Sequence, residues 1–321
     1  MMNSLAITLL ASAAITLTAC GSTGDKAATP AASSQPAARQ VTFNADSAMA
    51  HVGAQCAFGP RVPGTEAHRR CAEWLQQRLT QWCDTVHTQQ TQVTTFDGTK
   101  LHITNLVGVV NPQAEQRLLL VAHWDCRPWA DQDPDPARRR DPVMGANDAA
   151  SGVAVMLELA RLMHQEHPQV GVDLLMTDAE DWGEEGDDDS WALGTQYWAA
   201  NPHVPGYAPV FGILLDMVGA AGARFAPEYF STQYAPSAAK LVWDTAREAG
   251  YGSMFVTSPG GAVTDDHIPI NRAGIPCIDI IDMRGEGFFD AWHTTHDTPE
   301  CIDTATLKAV GQTLAQLIYN Y

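Results

Sequence analysis

The chain has 321 residues, 45% of them hydrophobic and 17% charged, enough for one large α/β domain. Its 37 acidic residues against 19 Lys plus Arg leave a formal net charge of −18. That balance excludes nucleic acid as a partner, which needs a basic footprint, and suits attraction of a metal ion or of a substrate's α-ammonium group.

In chain order, residues 1–20 (MMNSLAITLLASAAITLTAC) hold an apolar segment of signal-peptide length followed by small residues. This predicts export and not a spanning helix. Leu17-Thr18-Ala19-Cys20 resembles a bacterial lipobox, although no Lys or Arg precedes the apolar segment. A lipid on Cys20 would be the protein's only membrane attachment. Gly21 and Ser22 lack the aspartate linked to inner-membrane retention, so the expected location is the periplasmic face of the outer membrane. Residues 21–40, rich in Ala, Ser, Pro and Gly, are expected to be a flexible linker.

The catalytic domain is expected to span residues 41–321. Thr65 is placed to cap a helix burying Ala72, Leu75, Leu79 and Trp82. Asn105–Val110 and the apolar run Leu118–Ala122 read as strands, the second ending in His123-Trp124-Asp125. After a loop rich in Asp and Pro, a helical pattern runs from Ala149 to Gln165, just past Asp148. Val172–Thr177 is the central strand, followed by acids at Asp178, Glu180 and Asp181. A helix over Thr195–Ala200, a strand over Phe211–Leu215 ending at Asp216, and a helix from Pro236 closed at Gly250 come next. Ile275–Ile281 reads as a strand and Thr304–Tyr319 as the last helix. Strands alternating with helices predict a single-domain, three-layer α/β/α fold around a central, mostly parallel twisted sheet. Cys56, Cys71, Cys83, Cys126, Cys277 and Cys301 follow Cys20; no pair has C-x-x-C spacing, and no disulfide connectivity can be read from them.

Ligand-type residues recur just past strand ends or at helix starts: His123 and Asp125, Asp148, Glu180 and Asp181, Asp216, Asp265-Asp266-His267, and Trp292-His293. Singly each has an ordinary use, such as Asp148 as a helix N-cap. Together they would converge on the edge of a parallel sheet where ligands bind. Burying so many carboxylates and imidazoles without a cation is costly. Nitrogen and oxygen ligands without thiolates suit catalytic zinc.

A-H-W-D (122–125), G-A-N-D-A-A-S-G (145–152), Glu180-Asp181, L-L-D-M-V-G (214–219), T-D-D-H-I-P (264–269) and W-H-T-T-H-D (292–297) occur in order. As a set they resemble the zinc aminopeptidase and glutaminyl cyclase superfamily over roughly residues 45–321. In the peptidase branch the resemblance implies two zinc ions, with Asp148 bridging, His123 and Asp216 on one ion, Asp181 and His293 on the other, and Glu180 as general base. In the cyclase branch it implies one zinc ion held by Asp148, Asp181 and His293. Glu180 then moves the proton with help from Asp216 and Asp265, and Trp292 and His123 belong to the substrate pocket. The doubled Asp265-Asp266, the Trp292 before His293 and the long acidic loop after Asp181 resemble the cyclases.

The expected enzyme is therefore a bacterial glutaminyl-peptide cyclotransferase, a monomer acting on peptides and proteins with N-terminal glutamine. A dinuclear aminopeptidase is the alternative. Gly183-Glu184-Glu185-Gly186 matches the peptidase motif literally, but in that register the catalytic pair sits too far past the strand to be held by it. Glu180 and Asp181 are therefore preferred, with Glu184 and Glu185 second. Asp181 departs from the Glu usual at this position.

Overall fold

The structure, a computed structural model, describes residues 39–285 and 287–321; the export segment, Cys20 and residues 21–38 of the expected linker lie outside them. Three apolar runs lie side by side in the sheet: β3 (Arg117–His123), β4 (Gly171–Thr177) and β5 (Phe211–Asp216). With β1 (Thr85–Thr94), β2 (Lys100–Val110) and β6 (Cys277–Ile281) they give the order β1-β2-β4-β3-β5-β6. β4, β3, β5 and β6 run parallel, whereas β1 and β2 are antiparallel. The parallel strands therefore end on one edge, where His123 pairs with Thr177 across β3 and β4 and Asp216 closes β5 beside them.

Continuous apolar strands are needed because both faces are covered. Leu118, Leu120 and Ala122 face the main core, which takes in α1 (Ala45–Cys56), α2 (Glu66–Trp82), α3 (Ala150–Gln165), and residues of the later helices α6 (Pro236–Glu248) and α8 (Thr304–Asn320). Leu119 and Val121 face the opposite cluster, with Trp198 of α4 (Leu193–Ala200) and Ile270 of α7 (His267–Arg272). The short α5 (Tyr229–Tyr234) packs on β6, and its Ser231 Oγ accepts from Asp279 N at 2.8 Å. This is the three-layer α/β/α sandwich that the alternation of elements predicts.

Local differences from the sequence reading have physical causes. β1 is polar and alternately exposed, so it lacks an apolar signature; it forms by pairing along the whole of β2. Thr65 does cap α2, accepting from His68 N at 3.2 Å, but the buried stripe includes His68 and Cys71 while Ala72 is only half-buried. β6 starts at Cys277 because Pro276 has no N–H to give the ladder. α6 ends at Glu248, and Gly250 follows at φ 92°, a conformation glycine adopts without strain. Asp148 does not cap α3, whose first turn has no side-chain cap. Its carboxylate is left for other work.

Candidate metal centre and active site

The site is assembled from loops that leave the C-terminal edge of the sheet. β3 delivers His123, whose Nε2 lies 3.0 Å from Asp148 Oδ1 and 3.3 Å from Asp216 Oδ1. Asp125, two residues on, is fully buried and accepts from the backbone N–H groups of Glu180 at 3.1 Å and Asp181 at 3.3 Å. Past β4, Asp178 accepts from Thr104 N at 2.7 Å and Ala179 N at 2.8 Å and faces His68 Nε2 at 2.9 Å. These bonds fix the backbone just before Glu180 and Asp181. Asp148 is held from behind: Asp297 accepts from Asn147 N at 2.8 Å and Asp148 N at 3.1 Å.

Ala179, Met217 and His293 all adopt left-handed φ, between 50° and 53°. Each is a site residue or its chain neighbour. Such backbone is unfavourable for a residue with a Cβ and persists where surrounding contacts impose it.

Two groups of three donors result. Asp148, Asp181 and His293 offer ligand atoms within 4.8 Å of one another, and so do His123, Asp148 and Asp216. All five are buried. His293 Nε2 lies 3.1 Å from Asp181 Oδ1, and Asp181 Oδ2 is buried with no hydrogen-bond partner. A buried carboxylate with one oxygen unpartnered is costly without a cation. The nitrogen and oxygen donor set, with no thiolate, fits zinc.

Glu180 is 7% exposed. Burial, then the negative charges of Asp265, Asp181 and Asp266, push its pKa well above the usual glutamate range, against an opposing pull from His123. Burial, then the charge of Asp148, push the Asp216 pKa up to about 6. Burial, then Asp216 and Asp266, drive Asp265 well above the normal aspartate range. Glu180 and Asp265 are thus the carboxyls of the group that burial and neighbouring charge push furthest toward the protonated form.

A cavity of about 390 Å³ opens onto Asp148, Glu180, Asp216, Asp265 and His293, with Trp191, Phe288 and Trp292 among its walls and Gln132, Glu185 and Asp188 at its exposed margin. Trp292 stacks on His293 with ring centroids 3.7 Å apart. A larger hollow of about 660 Å³ beside α1 and α8 contains none of these residues and offers no comparable chemistry.

The structure thus brings Asp148, Glu180, Asp181, Asp216, Asp265, Trp292 and His293 together. His123, expected in the substrate pocket, is 1% exposed and is not among the cavity's lining residues; it lies against Asp148 and Asp216. Glu184 and Glu185 are exposed on the loop, while Glu180 and Asp181 are in the cluster. The six described cysteines are all free. Sequence reasoning missed Arg127 and Asp131, whose only signal was their position just after A-H-W-D.

Residues 105–318 match the family described as Peptidase family M28. The chain is 46% identical to a glutaminyl cyclase of Bacteroides thetaiotaomicron solved with N-acetylhistamine, covering 88% of this chain and 99% of that one with a TM-score of 0.86. A Tannerella forsythia glutaminyl cyclase structure is 48% identical, covering 88% and 100%, with a TM-score of 0.85. The glutaminyl-peptide cyclotransferase of Bos taurus is 27% identical over 250 residues, which are 68% of this chain and 66% of that protein.

Proposed function

The chain belongs to peptidase family M28, and from that premise we propose that it is a glutaminyl-peptide cyclotransferase, converting N-terminal glutamine to pyroglutamate with release of ammonia. The observation that carries this reading is buried Glu180, its pKa raised, sharing an aromatic-walled cavity with Asp148 and His293 in a chain so similar to bacterial glutaminyl cyclases.

Asp148, Asp181 and His293 are the residues that would hold one zinc ion, which supplies Lewis acidity toward the substrate's γ-carbonyl oxygen. Glu180 carries the proton. It accepts it from the attacking α-amine as the nitrogen bonds to the γ-carbon, and returns it to the departing nitrogen as the old carbon–nitrogen bond breaks. The products are a five-membered lactam and ammonia, and the proton count closes. A carboxyl with a raised pKa suits both halves of that transfer. Asp265 and Asp266 keep it raised through like charge. Trp191, Phe288 and Trp292 wall the cavity, hold the glutamine chain in a folded pose and exclude the water that would hydrolyse it.

Incubating the zinc-loaded protein with a Gln-X peptide tests this. Loss of one ammonia in mass with the peptide bond intact is the expected result. The His123–Asp148–Asp216 group favours a second reading, a two-metal aminopeptidase, for which the whole N-terminal residue would be lost. The lipobox-like Leu17–Cys20 supports export with a lipid on Cys20, and a Cys20→Ser protein released in soluble form from the cell envelope would be the sign of it.

A further inference from the structure

Arg127 lies outside the proposed catalytic set, yet it touches Asp181 and two side chains, Asp131 and Trp191, that lie against His293. Its side chain is 3% exposed. Nη1 donates to Asp181 Oδ1 at 3.3 Å and to the carbonyl oxygens of Asp181 at 3.2 Å and Gly183 at 3.3 Å. Nε and Nη2 form a two-pronged bond to Asp131 at 2.9 and 2.6 Å. Asp131 in turn lies 3.6 Å from His293 Nδ1, the nitrogen opposite the one facing Asp181. The guanidinium carbon sits 5.2 Å from the ring centre of Trp129 and 4.9 Å from that of Trp191. Trp191 then stacks on His293 at 6.1 Å with ring planes 16° apart.

From these contacts we propose that Arg127 is a positioning residue for the metal centre, setting Asp181 directly, His293 through Asp131, and the pocket wall through Trp191. The inference rests on Asp148, Asp181 and His293 being the metal ligands. A planar fork between two indoles is a shape only arginine supplies; a lysine keeps the charge and loses both the paired bonds and the stacking. Charge and geometry predict opposite outcomes here. If Arg127 acted only as a positive charge beside Asp181, removing it would strengthen binding of a dication. If it acts by orienting ligands, removing it weakens binding, by about ten- to a hundredfold for a residue of this kind.

The test is the zinc dissociation constant of the full-length protein, measured by chelator competition, with steady-state kinetics on a Gln-peptide alongside. Arg127→Gln and Arg127→Lys are both expected to raise the zinc dissociation constant about ten- to a hundredfold. With zinc saturating, kcat should fall more than KM changes. Asp131→Asn alters a partly exposed side chain with little risk to folding, and is expected to weaken zinc binding through His293 alone, by less than either Arg127 variant. Unchanged or tighter zinc binding in Asp131→Asn and Arg127→Lys overturns the inference, as does full rescue of zinc affinity by lysine. Asp181→Asn separates the two levels of the argument: if it leaves zinc affinity unchanged, the ligand assignment itself is wrong. If it abolishes binding while Arg127→Lys does not weaken it, the assignment stands and the role given to Arg127 fails.

Discussion

Replacing Glu180 by glutamine removes the proposed proton carrier and little else, because the amide is nearly isosteric and the side chain makes no hydrogen bond that holds the loop. That work is done by the Glu180 backbone N–H on Asp125. Positioned proton transfer contributes about 10²–10⁴ in rate, so kcat should drop by that factor, or about 3–5 kcal/mol of barrier. The pH profile of kcat/KM is the sharper assay. The nucleophile is an α-amine with an ordinary pKa of about 8, and it must be unprotonated to attack. Glu180 must be ionised to accept the proton, and burial with Asp265, Asp181 and Asp266 nearby raises its pKa well above the usual glutamate value. In the wild-type enzyme two protonations therefore suppress activity as pH falls, and below both pKa values log(kcat/KM) should fall with a slope of two. In Glu180→Gln only the substrate amine remains, and the slope should be one. Glu184→Gln and Glu185→Gln, altered on the exposed loop, should keep the double slope and most of kcat. A Glu180→Gln enzyme that keeps more than a tenth of wild-type kcat, or still falls with a slope of two, would refute the assignment.

Three other outcomes follow from the structure. Metal-stripped protein should lose activity and melt at lower temperature, and activity should return at one zinc equivalent; a second equivalent required for full activity would favour the aminopeptidase reading. Glu185 and Asp188 line the exposed margin of a cavity with no Lys or Arg among its described lining residues, so Gln-Lys peptides should be turned over several-fold faster than Gln-Glu peptides at low salt, measured as kcat/KM. Half-molar salt should shrink that difference, and Glu185→Lys with Asp188→Lys should reverse it. His51 is packed against Trp74 and Trp82, and burial lowers its pKa to about 4. The unfolded chain binds that proton from about pH 6.5, so stability is lost as pH falls from there toward 4. His51→Phe should recover about 2–3 kcal/mol of this acid loss in denaturant titrations at pH 4.5.

By itself the sequence determined the layers and the chemistry. Runs such as Leu118–Ala122 and Phe211–Leu215 are apolar on both faces because helices must cover both, and that property is written locally, one strand at a time. Glu180, Asp181 and Asp216 announced a metal site for the same reason, since they lie at or just past strand ends, while Asp148 precedes a helix. β1 stayed hidden because its polar residues have no core of their own and take their conformation from β2.

What the tertiary structure alone decided is which of these residues meet, and how. Strand order places β4, β3 and β5 together, so loops distant in the chain share one edge. His123 lies against two carboxylates and not in the pocket, because the side chain at the end of β3 meets Asp148 and Asp216 before it meets the cavity. Arg127 reaches Asp181, 54 residues further along the chain, because the loop after β4 folds onto the loop after β3. Contacts of that kind have no period and no propensity, and they exist only once the chain has closed.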